Sequence, residues 1–303
     1  MIVDCHTHIW DSPEQLGRYV PPGADRPRGR RSWLEADPHR HLAASQPVDW
    51  TIVLGLRSHW LGANVPNEDI AQYVRAHRDR VIGFAAVDPA RPRESIREAI
   101  RAREELGLQG LCISPAAQDV HPASTSAMKV YAEAMRLRLP VVFDQDVLST
   151  PGAKLEYARP YLLDEVAREF PDLKIVISHL GRPWVEETIA LLGKHPNVYA
   201  DVAGVLQSEW PAYNVLMAAY QADVMDKLLF GSNFPFASAA SCIETLYSVN
   251  QVSHGTNLPT IPREQLRRIV ERNALDLLGI QAPAGPRAAA TESTEVRRSP
   301  ASP

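Results

Sequence analysis

The chain has 303 residues, 45% of them hydrophobic and 22% charged, with a formal net charge of −4. That is ordinary globular composition, enough for two average domains or one α/β barrel, which typically takes about 250 residues. The slight negative balance, with no lysine or arginine stripe, argues against a nucleic-acid partner; no apolar run approaches the roughly 20 residues of a membrane span, and no secretory signal is read at the N-terminus.

The first predicted element is an apolar strand, Ile2–Cys5, that runs into His6 and His8. Alternate residues of a strand share a face, so this spacing presents two imidazoles side by side, a donor pair that suits a divalent metal such as zinc. Surface histidines on an edge strand are the plain alternative. Asp11 to Pro47 is a long connection rich in Pro, Gly and Arg, of the kind that serves as a functional lid or is disordered. It carries Arg26, Arg28, Arg30 and Arg31.

From there, short apolar strands alternate with amphipathic helices. Strands are predicted at Thr51–Leu56, Val81–Val87, Gly110–Ser114, Val141–Asp144, Lys174–Ser178, Val198–Val202 and Leu228–Gly231. Helices are predicted at Asn67–His77, Glu94–Leu106, Met128–Leu137, Tyr161–Phe170, Trp184–Leu192 and Pro211–Met225, with a closing helix over Pro262–Leu278. Parallel strands need crossovers, usually helical. Eight such strands predict a (β/α)8 TIM barrel, and no glycine-rich phosphate loop after the first strand supports a doubly wound sheet. Past Ile280 the composition turns to Ala, Pro, Ser and Thr, so residues 281–303 are expected to be a disordered tail behind a single catalytic domain over residues 1–280. Cys5, Cys112 and Cys242 are far apart without a CxxC pair. They read as free thiols of a reducing compartment, with the cytoplasm as the expected address.

Active sites of such barrels lie at the C-terminal strand ends. In strand order those ends supply His6 and His8; Arg57, His59 and Trp60; Asp88; Ser114; Asp144 and Asp146; His179; Asp201; and Asn233. Asp88-Pro and Ser114-Pro serve equally as turn initiators, and Asp201 serves equally as a structural hydrogen-bond acceptor. His179 directly follows an apolar strand. His77, His195 and His254 fall in helix ends and polar loops and read as solvated.

The opening Asp4-Cys-His-Thr-His-Ile-Trp10, Gly83-Phe-Ala-Ala-Val-Asp-Pro89, Gly107-Leu-Gln-Gly-Leu-Cys-Ile113, Leu139-Pro-Val, His179-Leu-Gly, Phe230-Gly-Ser-Asn-Phe-Pro235 and Glu271-Arg-Asn-Ala-Leu-Asp-Leu-Leu278 together resemble the amidohydrolase-2 family, in register from Met1 to about Leu278. Within it the chain is most similar to the dicarboxylate lactonase and sugar-lactonase group, with aminocarboxymuconate semialdehyde decarboxylase a more distant relative. The resemblance implies a distorted barrel that hydrolyses C–O or C–N bonds, or removes CO2, in small acids. Asp144 stands where many relatives have a histidine ligand, and Asn233 where an aspartate is usual. The fourth strand has Cys112 and no lysine for a bridging carbamate, so a binuclear centre is not expected.

The expected site therefore has His6, His8 and Asp144 as ligands of one divalent ion, zinc first, with manganese, iron or a metal-free centre as alternatives. His179 and Asn233 are the expected catalytic residues. His179 is the general acid–base; Asn233 carries an amide, which is no base and can only ligate weakly or orient water. Arg57, His59 and Trp60 are expected to bind an anionic small molecule, since arginine forks pair with carboxylates. Trp10, Trp33 and Trp184 are further candidate walls. The expected function is a metal-dependent hydrolase of a lactone or amide. A non-oxidative decarboxylase is the alternative, then a ligand-binding barrel without turnover; neither a nucleic-acid nor a membrane partner is expected, and a homo-oligomer is possible.

Overall fold

Short runs of β-branched and aliphatic residues, buried on both faces, form eight parallel strands in the computed structural model, which describes residues 1–20, 35–145 and 150–282. They are β1 Val3–Thr7, β2 Trp50–Leu54, β3 Val81–Ala86, β4 Leu111–Ile113, β5 Val141–Phe143, β6 Ile175–Ile177, β7 Val198–Asp201 and β8 Leu228–Leu229, hydrogen-bonded in sequence order. Beyond β8 the chain pairs back onto β1. Cys5 N–H donates to Phe230 O, Asn233 N–H to His6 O, and His8 N–H to Phe234 O, each at 2.9 Å. This seam closes the predicted (β/α)8 barrel. Arg26, Arg28, Arg30, Arg31, Trp33, Asp146 and residues 283–303 lie outside the described residues.

Each connection carries a helix whose apolar face packs on the outside of the barrel, for example Asn67–Ala76, Pro92–Glu104 and Thr125–Arg136. The long first connection carries one too. Helix Pro38–Ala44 starts at Asp37, whose carboxylate accepts from the N–H groups of His39 and Arg40 at 3.0 and 3.1 Å. The predicted closing helix is two helices, Arg263–Glu271 and Ala274–Leu278. Arg272 is extended, and the Asn273 side chain accepts from Asp276 N–H to cap the second. That break lets Ala274, Leu275, Leu278 and Ile280 plug the N-terminal end of the barrel, against an interior that includes Ile52, Leu54, Phe84 and Cys112.

Among the described residues no helix is long and apolar enough to cross a membrane. The three cysteines are buried and free. His195 is not solvated as read above: its Nε2 is 2.7 Å from Asp164 Oδ1, because the turn after helix Val185–Lys194 folds back on Leu163–Glu169.

Candidate active site

The histidine pair reaches the barrel interior because β1 is bulged. Asp4 pairs with Thr51 and Thr7 with Val53, so three steps on β1 match two on β2. Val3 and Cys5 pack inside the barrel, and strict alternation would then send His6 and His8 outward with Asp4. One extra residue reverses the parity and re-aims both rings, as bulges do beside active sites.

Inside, each ring is oriented by an acceptor on its Nδ1. His6 Nδ1 is 2.9 Å from Asp201 Oδ2, His8 Nδ1 is 3.2 Å from Leu54 O, and His179 Nδ1 is 2.9 Å from Ala203 O. A carbonyl can only accept, so Nδ1 of His8 and of His179 carries the proton; an ionised Asp201 demands the same of His6. In its neutral form each ring then offers an Nε2 lone pair. His6 Nε2 and His8 Nε2 face each other at 3.1 Å, His179 lies 4.6 Å from His6 between ring centres, and His179 Nε2 is 3.6 Å from Asp144 Oδ1.

Burial, with the neighbouring His6 ring, pushes the His8 imidazole down to about 4, so it is neutral at pH 7. Burial works to raise the Asp144 carboxyl, but the neighbouring imidazoles of His179, His8 and His6 outweigh it and hold the group well below the usual range. Asp201 is held low in the same way, burial being overcome chiefly by His6. The site is therefore a buried set of imidazole nitrogens and ionised carboxylates. This is the donor chemistry of a divalent transition metal, backed by the acceptors that orient metal-bound histidines.

Donor atoms of His6, His179 and Asp201 lie within 4.8 Å of one another, a triad able to hold an ion. Asp201, however, already spends Oδ1 on the N–H groups of His179 and Ala203, at 2.9 and 3.1 Å, and Oδ2 on His6. That pattern is a backing group for two histidines. It is the acceptor role that the strand-end position left open.

His179 and Leu180 both adopt left-handed backbone, at φ of 56° and 49°, a conformation that costs of order 1 kcal/mol or more for each non-glycine residue. It turns the His179 ring back over the barrel mouth. Asn233, also left-handed at φ 62°, ends the site, and its Oδ1 is buried without a hydrogen-bond partner. Gly204, at φ +66°, lies between the two: a Cβ there would stand 3.1 Å from His179 Nδ1 and 3.4 Å from Asn233 Nδ2. Gln145, not singled out by its sequence, follows Asp144 and buries both side-chain amide atoms without partners. Nothing in its sequence context marks it, since polar residues follow most strand ends.

The structure gathers His6, His8, Asp144, His179 and Asn233 at one end of the barrel. Arg57, His59 and Trp60 sit apart from that cluster, on a hairpin formed by Arg57–Ser58 and Ala63–Asn64. Arg57 Nε donates to Asn64 Oδ1 at 3.0 Å, His59 Nδ1 is 2.8 Å from the buried Asp88 carboxylate, and both side chains approach Glu94. Trp60 is half exposed, with Nε1 donating to Gly152 O at 2.7 Å. Trp10 is buried, 6.3 Å from Phe236 between ring centres, and Trp184 packs against the core.

A family model described as amidohydrolase matches residues 3–280. No curated protein matches the sequence. Among solved structures the chain is similar to an uncharacterized TIM-barrel protein of Bordetella bronchiseptica, at 22% identity and TM-score 0.67, over 92% of this chain and 98% of that one. It is similar to 5-carboxyvanillate decarboxylase of Novosphingobium aromaticivorans, complexed with manganese and 4-hydroxy-3-methoxy-5-nitrobenzoic acid, at 14% identity and TM-score 0.66, over 92% and 96%. A probable 2-pyrone-4,6-dicarboxylic acid hydrolase of Acinetobacter baumannii, with citric acid bound, is similar at 16% identity and TM-score 0.61, over 92% and 99%. At these identities the likeness is one of fold.

Proposed function

Because the chain belongs to the amidohydrolase family, we propose that it is a metal-dependent hydrolase that opens a lactone or amide of a small carboxylated molecule. The observation that carries this reading is the pair of imidazoles, His6 and His8, with Nε2 atoms 3.1 Å apart and Nδ1 atoms committed to acceptors elsewhere. In this reading His6, His8 and Asp144 hold one divalent ion, and Asp201 and the Leu54 carbonyl keep the two rings in the tautomer that binds it. Two histidines and a carboxylate suit zinc first, and also manganese or iron(II). The manganese bound by the Novosphingobium decarboxylase supports a divalent ion on this barrel.

When bound, such an ion lowers the pKa of water and polarises an acyl oxygen. His179, its Nδ1–H fixed on Ala203 O and its Nε2 facing Asp144, takes the proton from the attacking water and returns it to the leaving oxygen or nitrogen. Asn233 cannot accept a proton and orients water or substrate through its unspent Oδ1. Arg57, His59 and Trp60, on the hairpin after β2, receive the anionic end of the substrate. The free thiols suit a cytoplasmic enzyme.

Asn233 favours a second reading. Decarboxylation needs a proton delivered to carbon and no hydrolytic base, so an amide at the eighth strand end impairs it less. The carboxylated aromatic ligand of the Novosphingobium relative belongs to that chemistry.

Elemental analysis of protein purified without chelators tests the ion: near one equivalent, absent from His6→Ala, is expected. A panel of lactones, amides and hydroxylated aromatic acids in 18O-labelled water then separates the reactions. Label in the product without CO2 is expected for hydrolysis, and CO2 from an unlabelled product assigns decarboxylation. A metal-free chain that reconstitution leaves metal-free overturns both.

A further inference from the structure

Helix Pro38–Ala44 buries one histidine completely, His41, against the outer side of the seam where β1 meets the end of β8. Its Nε2 is 2.8 Å from Thr7 Oγ1, and its Nδ1 is 2.8 Å from the Tyr73 hydroxyl. Thr7 stands between His6 and His8 in the bulged strand. Thr7 Oγ1 also lies 2.7 Å from Ile52 O, where it must donate. A threonine has one hydroxyl proton, so Thr7 accepts from His41, and Nε2 carries hydrogen. Burial, reinforced by Arg80, His8 and His77, keeps the His41 ring singly protonated near neutral pH. Its Nδ1 is therefore the acceptor for Tyr73 O–H. The ring edge also packs on Phe234, 5.2 Å between centres. Phe234 follows Asn233, and its carbonyl receives His8 N–H.

We propose that His41 is a positioning residue for the metal site, a directed hydrogen-bond hub running Tyr73 to His41 to Thr7 to the Ile52 carbonyl, which holds the β1 bulge and the β8 end together. Through Thr7 it sets the angle at which His6 and His8 converge, and through Phe234 it sets where Asn233 stands. The bulge provides a clear reason for such a device. The extra residue interrupts the regular β1–β2 ladder at the place where two side chains must be aimed within a fraction of an ångström, and side-chain hydrogen bonds replace the missing ladder contacts. His41 is opposite in tautomer to the three site histidines: it carries its proton on Nε2 and they carry theirs on Nδ1.

The inference rests on the metal reading above. Its test is the affinity of the whole chain for zinc, titrated against a competing chelator, in the wild type and in His41→Leu, Thr7→Val and His41→Gln. Loss of the hub is expected to weaken zinc binding roughly 10–100-fold in His41→Leu and Thr7→Val, the range for groups behind a metal's ligands. His41→Gln keeps a donor toward Thr7 and an acceptor toward Tyr73, and is expected to stay within a few-fold of the wild type. Should His41→Leu fail to fold, Thr7→Val decides, since it removes one hydroxyl and conserves volume. Wild-type affinity in folded Thr7→Val overturns the positioning role and leaves the metal reading standing. A wild type that binds neither zinc, manganese nor iron(II) overturns both. Long-range nitrogen–proton NMR of the zinc-free chain gives a readout that bulk stability does not move: an Nε2-protonated His41 is expected, and an Nδ1-protonated ring overturns the directed hub.

Discussion

His6 and Asp201 form a buried pair across the barrel mouth, Nδ1 to Oδ2 at 2.9 Å with neither side chain exposed, joining the first strand to the seventh. The same carboxylate receives the backbone N–H of His179 on its other oxygen. One aspartate thus orients two histidines from two strands, and its substitution tests more than a single contact. Asp201→Asn places an amide where three donors need an acceptor. Unfolding in urea is expected to show a loss of about 2 kcal/mol, with weaker metal binding in the folded protein. Unchanged values on both counts would remove Asp201 from the site.

His179→Gln separates proton transfer from metal binding. Turnover on any substrate found by the panel is expected to fall about 10²–10⁴-fold, while the metal content stays at that of the wild type. If the ion is lost along with turnover, His179 belongs among the ligands.

Gly204→Ala tests the packing between His179 and Asn233. The left-handed φ of +66° and the 3.1 Å approach to His179 Nδ1 both penalise a methyl group. A loss of about 1–2 kcal/mol is expected, with an activity loss greater than that of an exposed glycine such as Gly255 replaced in the same way.

Two buried groups give pH dependences of opposite sign in the metal-free chain. The Asp4 carboxyl is pushed up to about 6 by burial, against hydrogen bonds from Ser232 and the His6 amide. A raised folded pKa means its stabilising contribution is present below the unfolded value of 3.8 and lost as pH rises through 6. Asp4→Asn is therefore expected to be more stable than wild type at pH 8, by up to about 3 kcal/mol, with the gap closing toward pH 4. His41 is pushed down to about 3 by burial and by Arg80, His8 and His77. Its contribution is full above 6.5 and is lost as pH falls from 6.5 toward 3, at up to about 1.4 kcal/mol per pH unit. His41→Gln should remove that part of the slope. Denaturant unfolding of wild type and variants at pH 4, 6 and 8 checks both, and identical profiles would contradict both assignments.

The barrel was legible because its information is local. Short β-branched runs such as Ile175–Ile177 and amphipathic segments such as Asn67–Ala76 declare strand and helix through length, residue type and period, and eight alternations leave few ways to close. That His6, His8, Asp144, His179 and Asn233 come together at one end of the barrel could be read as well, because a parallel barrel brings every C-terminal strand end to one face. The family resemblance rested on the same residues. What sequence could not supply was the bulge between Asp4 and Thr7, which decides that the two histidines face inward, since hydrophobic alternation does not reveal an extra residue in a ladder. Nor could it show that Asp201 backs His6 and His179, or that His41, 34 residues from Thr7, reaches the strand between the site histidines. Those are pairings of groups far apart in the chain, set by how the seam between first and last strands closes. Residue types and order determined the architecture and which donors are available; only the closed tertiary structure decided which nitrogen of each ring carries its proton, because the acceptors come from other strands.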